Sequence, residues 1–154
     1  MPALSKRQRI LEAFRTRLEA IRLDDSEARF FTDVGWCVYL QEFPELGPED
    51  PDAAVAIVLP EDEVPAQMVN VVTRLPIEIH ALAKVGDASR PWETVEAVLA
   101  DIRRAIELED RTLGGLLRDQ MRRGPTKATE REPGSTTVGA SITYPVLYVE
   151  GWGD

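Results

Sequence analysis

The sequence predicts an α+β fold, a mostly antiparallel sheet with two helices packed on one face and a long β-hairpin arm. Two segments show the three-and-four spacing of apolar residues that is typical of helices, and several others alternate with a period of two, as strands do. The connections between the predicted strands are too short for crossovers, which favours antiparallel pairing. With 154 residues, 44% of them apolar and 29% charged, the chain is expected to form a single domain over residues 1–154.

The clearest unit is a strand, a turn and a helix over residues 75–108. Apolar and polar side chains alternate from Ile77 to Val85, which predicts a strand with one buried face. Residues 86–89 carry turn-forming side chains, and Pro91 suits the first turn of a helix, where its missing N–H costs nothing. The predicted apolar stripe of that helix comprises Trp92, Val95, Val98, Leu99, Ile102 and Ile106.

Another helix is predicted near the start of the sequence, from Ser5 to Leu23. Ser5 and Gln8 have the spacing of a capping box, and apolar residues recur at helical spacing from Ile10 to Ile21. The cations of its polar face are Lys6, Arg7, Arg9, Arg15, Arg17 and Arg22. We interpret this face either as a solvated surface or as a docking surface for an acidic partner, another copy of this acidic chain included.

Three further strands are predicted between the helices, over residues 36–42, 53–59 and 67–74. The second is apolar on both faces and is therefore expected in the interior of the sheet. The third is expected to lead through a bend at Pro76 into the strand that ends at Val85. Two loops, residues 42–52 and 60–65, are acidic and lack the spacing of a calcium loop. The carboxylates of the first loop include Glu45, Glu49, Asp50 and Asp52.

The C-terminal region is expected to contain the hairpin arm. Residues 116–123 fit a helical turn or a strand, and we favour a strand. Residues 124–134 are polar, with glycine at both ends, and predict a long hairpin tip or arm. The strand that follows spans residues 135–150, where Pro145 removes a backbone donor and requires a sheet edge or a bulge. A second basic cluster in this region comprises Arg118, Arg122, Arg123, Lys127 and Arg131.

Few residues in the sequence suggest chemistry. The only histidine and the only cysteine, His80 and Cys37, fall in different predicted strands, and Cys37 is expected to be a buried, reduced thiol. No phosphate-binding or dinucleotide-binding glycine motif occurs, so no cofactor is expected. One histidine and one cysteine cannot form a zinc site without carboxylate ligands, so no metal site is expected either. A net charge of −9 argues against a protein that wraps nucleic acid. Neither a signal peptide nor a membrane span is expected, and Trp36, Trp92 and Trp152 are interpreted as core or interface anchors.

The order of these features resembles that of the tail terminator, or tail completion, proteins of long-tailed bacteriophages, the lambda minor tail protein U-like group. The resemblance starts with the basic helix RQRILEAFRTRLEAI, which is followed by a strand, an acidic loop and an apolar strand. It continues through LPIEIHALAKVGDASRPWETVEAVLADIRRAI, the RTLGGLL segment and a charged hairpin, and it ends at SITYPVLYVEGWGD. It covers nearly the whole chain, and none of these segments is a catalytic signature.

The resemblance implies a structural protein and not an enzyme. Members of that family form a homo-oligomeric, typically hexameric ring that caps the tail tube, stops its polymerisation and offers a surface to the head connector. The expected partners are therefore further copies of this chain, the tail tube protein and a head connector or neck protein, with DNA passing through the lumen without specific binding. The expected location is the tail–neck junction of the virion, after assembly in the bacterial host cytoplasm.

A heterologous ring contact joins two different patches of one chain. The basic helix face and the hairpin form one candidate patch, and the acidic loops form the other. The interface residues predicted on this basis are Lys6, Arg7, Arg15, Arg22, Glu45, Glu49, Asp50, Asp52, Arg118, Arg122, Arg123, Lys127, Arg131 and Trp152.

Three other hypotheses fit the same sequence. The first is a head-completion or neck joining protein of the virion. The second is a small enzyme whose site forms in three dimensions around His80. The third is a regulatory module that binds a partner through residues 124–134.

Overall fold

The computed structural model describes residues 4–24, 30–42, 46–59, 64–67, 72–129 and 131–149. Its elements are α1 (Lys6–Glu19), β1 (Val38–Leu40), β2 (Ala53–Val58), β3 (Val64–Gln67), β4 (Val72–Lys84), α2 (Glu93–Glu107), β5 (Thr126–Ala128) and β6 (Thr137–Val149). A 3₁₀ turn, Val34–Trp36, precedes β1. Glu45 and Trp152, two of the predicted interface residues, lie outside the described residues, as do residues 60–63 of the second acidic loop.

The strands form one sheet with the order β1–β2–β4–β6–β5, in which β3 also pairs with β4. The long strands β4 and β6 pair antiparallel from Val72 opposite Val149 to Lys84 opposite Thr137. All pairs are antiparallel except β1–β2, which is parallel. The expectation of antiparallel pairing is therefore wrong at this position. The connection over residues 41–52 is long enough to return the chain to the same end of the sheet.

The predicted α+β class is confirmed, and the core lies between the two helices and one face of the sheet. Odd-numbered residues of β4 and even-numbered residues of β6 face this core, as their alternation in sequence predicts. Phe14 of α1 is fully buried, and the centroids of its ring and the Tyr144 ring are 6.1 Å apart. The strand predicted to be interior, β2, lies between β1 and β4 and is buried along most of its length.

Two prolines lie opposite each other in the centre of the sheet. Pro76 pairs with Pro145 in the β4–β6 register, which is continuous on both sides. The Gly124 N–H donates to Thr143 O, and the Thr143 N–H donates to Pro125 O, so the backbone groups of Thr143 face the β5 side of β6. Residues two apart in a strand direct their backbone groups to the same side, so the Pro145 nitrogen also faces that side, beyond the end of β5. The Pro76 nitrogen faces the opposite flank, between the ends of β2 and β3. Pro145 therefore lies at a local sheet edge, as predicted. The bend predicted at Pro76 is wrong, because β4 runs through this residue as one strand.

The helices begin and end close to the predicted positions. The capping box is confirmed, because Ser5 Oγ accepts from Gln8 N at 3.2 Å and Gln8 Oε1 accepts from Ser5 N at 3.0 Å. The first helix ends at Glu19, four residues before the predicted end. The second begins at Glu93, so Trp92 precedes it and is 57% exposed instead of belonging to the buried stripe. The remainder of that stripe is buried as predicted.

Several predicted strand boundaries are wrong. The predicted strand over residues 36–42 is limited to β1, and the one over 67–74 is divided between the end of β3 and the start of β4, with residues 68–71 outside the described residues. Residues 116–123 have irregular backbone and form no strand, because Leu117 and Met121 anchor this segment in the core. The predicted hairpin consists of β5 and β6, and its first strand spans only three residues at the sheet edge.

Candidate functional site

Exposed carboxylates cluster at one end of the sheet and cations cluster at the other. The end where β2 and β6 begin and β4 finishes, which we call the acidic end, has the exposed carboxylates of Asp33, Glu49, Asp50 and Asp52. The end where β4 begins and β6 finishes, which we call the basic end, has Lys6, Arg74, Arg111, Arg118 and Arg122. A 13-residue strand such as β4 is about 40 Å long, so these groups lie on opposite sides of the subunit.

The acidic loop is tied to the end of β4. Lys84 Nζ donates to Asp50 O, and the Lys84 N–H donates to Asp52 O at 2.7 Å. The Asp50 carboxylate accepts from Gly47 N at 2.6 Å. The backbone of residues 47–52 is therefore held in place, while the side chains of Glu49 and Asp52 are exposed to solvent.

Beside these carboxylates the acidic end exposes large apolar side chains. Leu23 is 57% exposed, Phe31 69% and Trp36 65%. Leu23 and Phe31 line a groove of about 310 Å³ together with Asp33 and Asp52, and we call this the aromatic–acidic groove. Clustered, exposed apolar side chains rimmed by polar groups are typical of interaction surfaces.

Hydrogen bonds to buried Asp101 and to exposed Asp33 fix the backbone of the groove. Asp101 of α2 is 1% exposed and accepts hydrogen bonds from Phe31 N at 2.9 Å, Thr32 N at 2.8 Å and Thr32 Oγ1 at 2.7 Å. Asp33 Oδ1 accepts from Leu23 N at 2.6 Å. The groove residues therefore have a defined backbone although their side chains face solvent, because satisfied buried polar networks are rigid.

Close packing at Gly35 fixes the same region from a second side. Gly35 N donates to Ile21 O at 2.9 Å. A Cβ atom at Gly35 would lie 2.5 Å from Ile21 O and 2.6 Å from Glu19 O, both backbone atoms, so only glycine fits. Next to it, the Arg22 guanidinium lies 3.7 Å from the centroid of the Trp36 ring, within cation–π distance. Arg22, a predicted interface residue, is thus engaged within its own subunit.

The basic end contains a groove of about 850 Å³, which is larger than the aromatic–acidic groove. Its charged lining residues are three cations, Arg74, Arg111 and Arg122, and one carboxylate, Asp119, all of them exposed. Arg118 N donates to Leu147 O at 2.8 Å, and Lys6 Nζ donates to Val149 O at 3.0 Å. These two contacts attach the neighbouring segments to the last three residues of β6 and bring their positive charges to this end of the strand.

Some of the cations in the predicted basic clusters are bound inside the subunit. Arg17 donates to three carbonyl oxygens of residues 106–110, at 2.6 to 3.1 Å, and so caps the C-terminus of α2. Arg131 donates twice to Ser135 O, at 2.7 and 3.0 Å, within the β5–β6 connection. A cation that satisfies carbonyl oxygens of its own chain is less available to a partner.

Other predicted interface cations line neither of the two grooves. Arg15 pairs with Glu19 at 2.8 Å on the surface of α1, a contact of small energetic weight because both side chains are 45% exposed. Arg7 is partly buried near the start of α1, and Lys127 is exposed in the edge strand β5. The predicted basic patch is therefore divided, and only part of it belongs to the basic end.

Arg123 belongs to a network around Glu107. Its Nε and Nη2 donate to the two Glu107 carboxylate oxygens at 2.8 and 3.1 Å, and Tyr144 Oη donates to Glu107 Oε2 at 2.9 Å. Burial and the hydrogen bond to Glu107 raise the pKa of Tyr144 well above its usual range, and the hydrogen bond to Glu107 also raises the pKa of Arg123. This network joins α2 to β6.

The only histidine lies on the sheet face opposite the helices. His80 Nε2 is 2.6 Å from Glu78 Oε1, and Ser141 is the register partner of His80 on β6. A cavity of about 360 Å³ lies on this face above Ala54 and Ala56. No group of three or more possible metal ligands occurs within the described ranges of the chain.

Cys37, just before β1, is partly buried, whereas full burial was expected. Burial, together with the nearby charge of Asp50, raises the pKa of its thiol. A raised pKa keeps a thiol protonated at neutral pH, and a protonated thiol is a poor nucleophile. Cys37 therefore has the chemistry of a structural cysteine.

The sequence interpretation missed several residues of these two surfaces. The sequence places Leu23 at the end of a predicted helix, Arg74 in a predicted strand, and Phe31 between predicted elements. Asp101 had a detectable signal, because it follows Val98 by three positions and so falls beside the apolar stripe of α2. Leu23, Phe31 and Arg74 offered no such signal.

Expected core positions for Trp36 and Trp92 are wrong, since both side chains are more than half exposed. An interface position for them stays a prediction. No known family model and no curated protein matches this sequence. No helix within the described parts of the chain is long and apolar enough to cross a membrane. Residue chemistry, geometry and the order of sequence features therefore carry the functional inference.

Proposed function

We propose that the protein is a structural subunit that associates with copies of itself, acidic end to basic end, in the tail terminator ring of a phage tail. The observation that carries the proposal is the polarity of the subunit: exposed carboxylates and exposed arginines lie at opposite ends of strands about 40 Å long. One subunit cannot bring its own two ends together, whereas a neighbouring copy offers the complementary charge.

A contact between two different patches generates a ring when the rotation between neighbours closes, and a filament when it does not. In a closed ring every acidic end meets a basic end. Closure limits growth to a fixed number of subunits, which is what a protein that ends tube polymerisation requires. The protein would act by shape and charge, without a chemical step.

The resemblance in sequence supplies the biological setting. A ring of about six copies would cap the tail tube and offer its other face to a head connector or neck protein, at the tail–neck junction of the virion. The net charge of −9 favours a lumen through which DNA passes without adhering, because like charges repel.

The first test is the solution mass across a concentration series, followed by negative-stain imaging of the largest species. Rings of about 103 kDa, six chains of 17.2 kDa each, are the expected result. Raising the salt concentration should weaken the ring, because screening acts on exposed charges. A single-chain mass at every concentration, with purified tail tubes present as well as absent, would contradict the proposal.

A second test asks whether the protein ends tube growth. Purified tail tube protein is polymerised with and without it, and tube lengths are measured by electron microscopy. Shorter tubes with a ring at one end are expected. Unchanged tube lengths, with binding to the portal side of the connector alone, would favour a head-completion or neck protein instead.

A further inference from the structure

The aromatic–acidic groove has the two features that recognise an arginine side chain. Leu23 and Phe31 offer exposed apolar surface, and Asp33 and Asp52 place carboxylates beside them. A guanidinium contacts aromatic faces by cation–π interaction and carboxylates by charge-assisted hydrogen bonds. It is also more weakly hydrated than an ammonium group, so it loses less on leaving water.

The acidic end already shows this chemistry within one subunit, where the Arg22 guanidinium lies 3.7 Å from the Trp36 ring centroid. The backbone of the groove is fixed before any partner arrives, by Asp101 under Phe31 and by Asp33 at Leu23. A preorganised surface loses less conformational entropy on association, so more of its contact free energy contributes to affinity.

The complementary surface is the basic end of the same protein. Arg74, Arg111 and Arg122 are exposed and line one groove. Arginine and aromatic residues are enriched among the residues that dominate interface energetics. Because the two ends lie on opposite sides of the subunit, these arginines reach an aromatic–acidic groove only in another copy.

We propose that the aromatic–acidic groove receives arginines from the basic end of a second copy, and that this is the contact between neighbouring subunits of the ring. The inference rests on the proposed ring function and adds the two surfaces that meet. Arg15 and Lys127 lie outside both surfaces and are dispensable for the contact.

Leu23→Ser tests the groove, with Leu108→Ser as its matched control. Both leucines follow a helix, and they are 57% and 63% exposed, but only Leu23 lines the groove. Leu23→Ser is expected to weaken self-association at least about tenfold in sedimentation experiments. The free energy of burying a leucine side chain corresponds to a change of about that size in the dissociation constant. Leu108→Ser should associate like the wild type. Equal association of the two variants would overturn the inference.

Mixing two defective variants separates a head-to-tail contact from a symmetric one. Leu23→Ser with Phe31→Ser disables the groove, and Arg74→Glu with Arg122→Glu disables the basic end. Each double variant alone is expected to be monomeric, because one of the two surfaces of every contact is lost. An equimolar mixture is expected to form a heterodimer of about 34 kDa and no rings, because one intact groove still meets one intact basic end.

The possible outcomes distinguish this inference from the ring function. Wild-type rings together with rings from both double variants would overturn the two surfaces and the association of acidic end with basic end, while the formation of a closed ring would stay supported. Wild-type rings with a mixture that stays monomeric would equally overturn the head-to-tail contact proposed here. A wild-type protein that stays monomeric even with tail tubes present would contradict the ring function itself, and the contact with it. Circular dichroism melts of every variant show whether each one is folded.

Discussion

The acidic end and the second basic cluster support their exposed side chains through different internal contacts. At the acidic end, Phe31 is exposed on a backbone that Asp101 fixes from within the fold. In the basic cluster, Arg123 is bound to Glu107, while Arg122 beside it in sequence is exposed at the basic end. In both regions a residue exposed at a proposed contact surface lies next to a residue that holds the structure. A surface that must fit a partner needs this internal support, because loosely held side chains bind with poor geometry.

Asp101→Ala is expected to have the largest effect, because it removes the internal support of the acidic end. Three donors of Phe31 and Thr32 lose their acceptor in a partly buried site. At about 1 kcal/mol or more for each unsatisfied donor, the free energy of unfolding should fall by about 3 kcal/mol or more. Denaturant titration measures this change. Asp119→Ala, at an exposed aspartate, should change stability by less than about 0.5 kcal/mol, and equal losses for the two variants would refute the assigned role of Asp101.

Gly35→Ala tests the second support of the acidic end. The added Cβ would lie within 2.6 Å of two backbone oxygens, which cannot move without shifting the end of α1. We expect a loss of about 1–3 kcal/mol, typical of overpacking at a well-packed position. Gly86→Ala is the control, because a Cβ there has no neighbour within 4 Å. If thermal melts show the same stability for both alanine variants, the close approach at Gly35 is not a constraint.

Tyr144→Phe tests the network that holds Arg123. Loss of the hydrogen bond to Glu107 should cost about 1 kcal/mol at neutral pH. Because the folded-state pKa of Tyr144 is raised, its stabilising contribution is complete below the unfolded pKa of about 10 and is lost as pH rises above that value. The wild type should therefore lose stability more steeply than Tyr144→Phe above pH 10, by up to about 1.4 kcal/mol per pH unit. Parallel pH profiles for the two proteins would rule this out.

Asp110→Asn should have the smallest effect, at the turn whose carbonyls Arg17 caps. Hydrogen bonds from Thr112 Oγ1, Thr112 N and Gly114 N lower the pKa of the Asp110 carboxyl. Its contribution is therefore present above the unfolded pKa and is lost as pH falls through the lower folded-state value. Asp110→Asn should reduce the loss of stability in acid, and Thr112→Val should reduce it partly. If both variants lose stability in acid as steeply as the wild type does, the Asp110 carboxylate does not make this contribution.

Much of the fold was predictable because it depends on local spacing. The alternation in β4 and β6 identifies the core face, and the stripe of α2 identifies its buried side. The capping box of Ser5 and Gln8 likewise defines the start of α1. Direction was not predictable for β1, since a 12-residue connection over residues 41–52 permits either pairing. The short segment 116–123 was also misassigned, because the burial of Leu117 and Met121 in an irregular segment leaves no periodic pattern.

The sequence by itself determined the α+β class, the core residues of the long elements, and the presence of acidic loops and basic clusters. Only the tertiary structure decided which charges face outward. Arg17 is 89 residues from the first carbonyl that it caps, and Arg123 is 16 residues from Glu107. Packing of distant segments likewise brings Arg74, Arg111 and Arg122 to one groove. The reason is physical: local spacing sets periodicity and capping, whereas exposure and pairing depend on segments that only folding brings together.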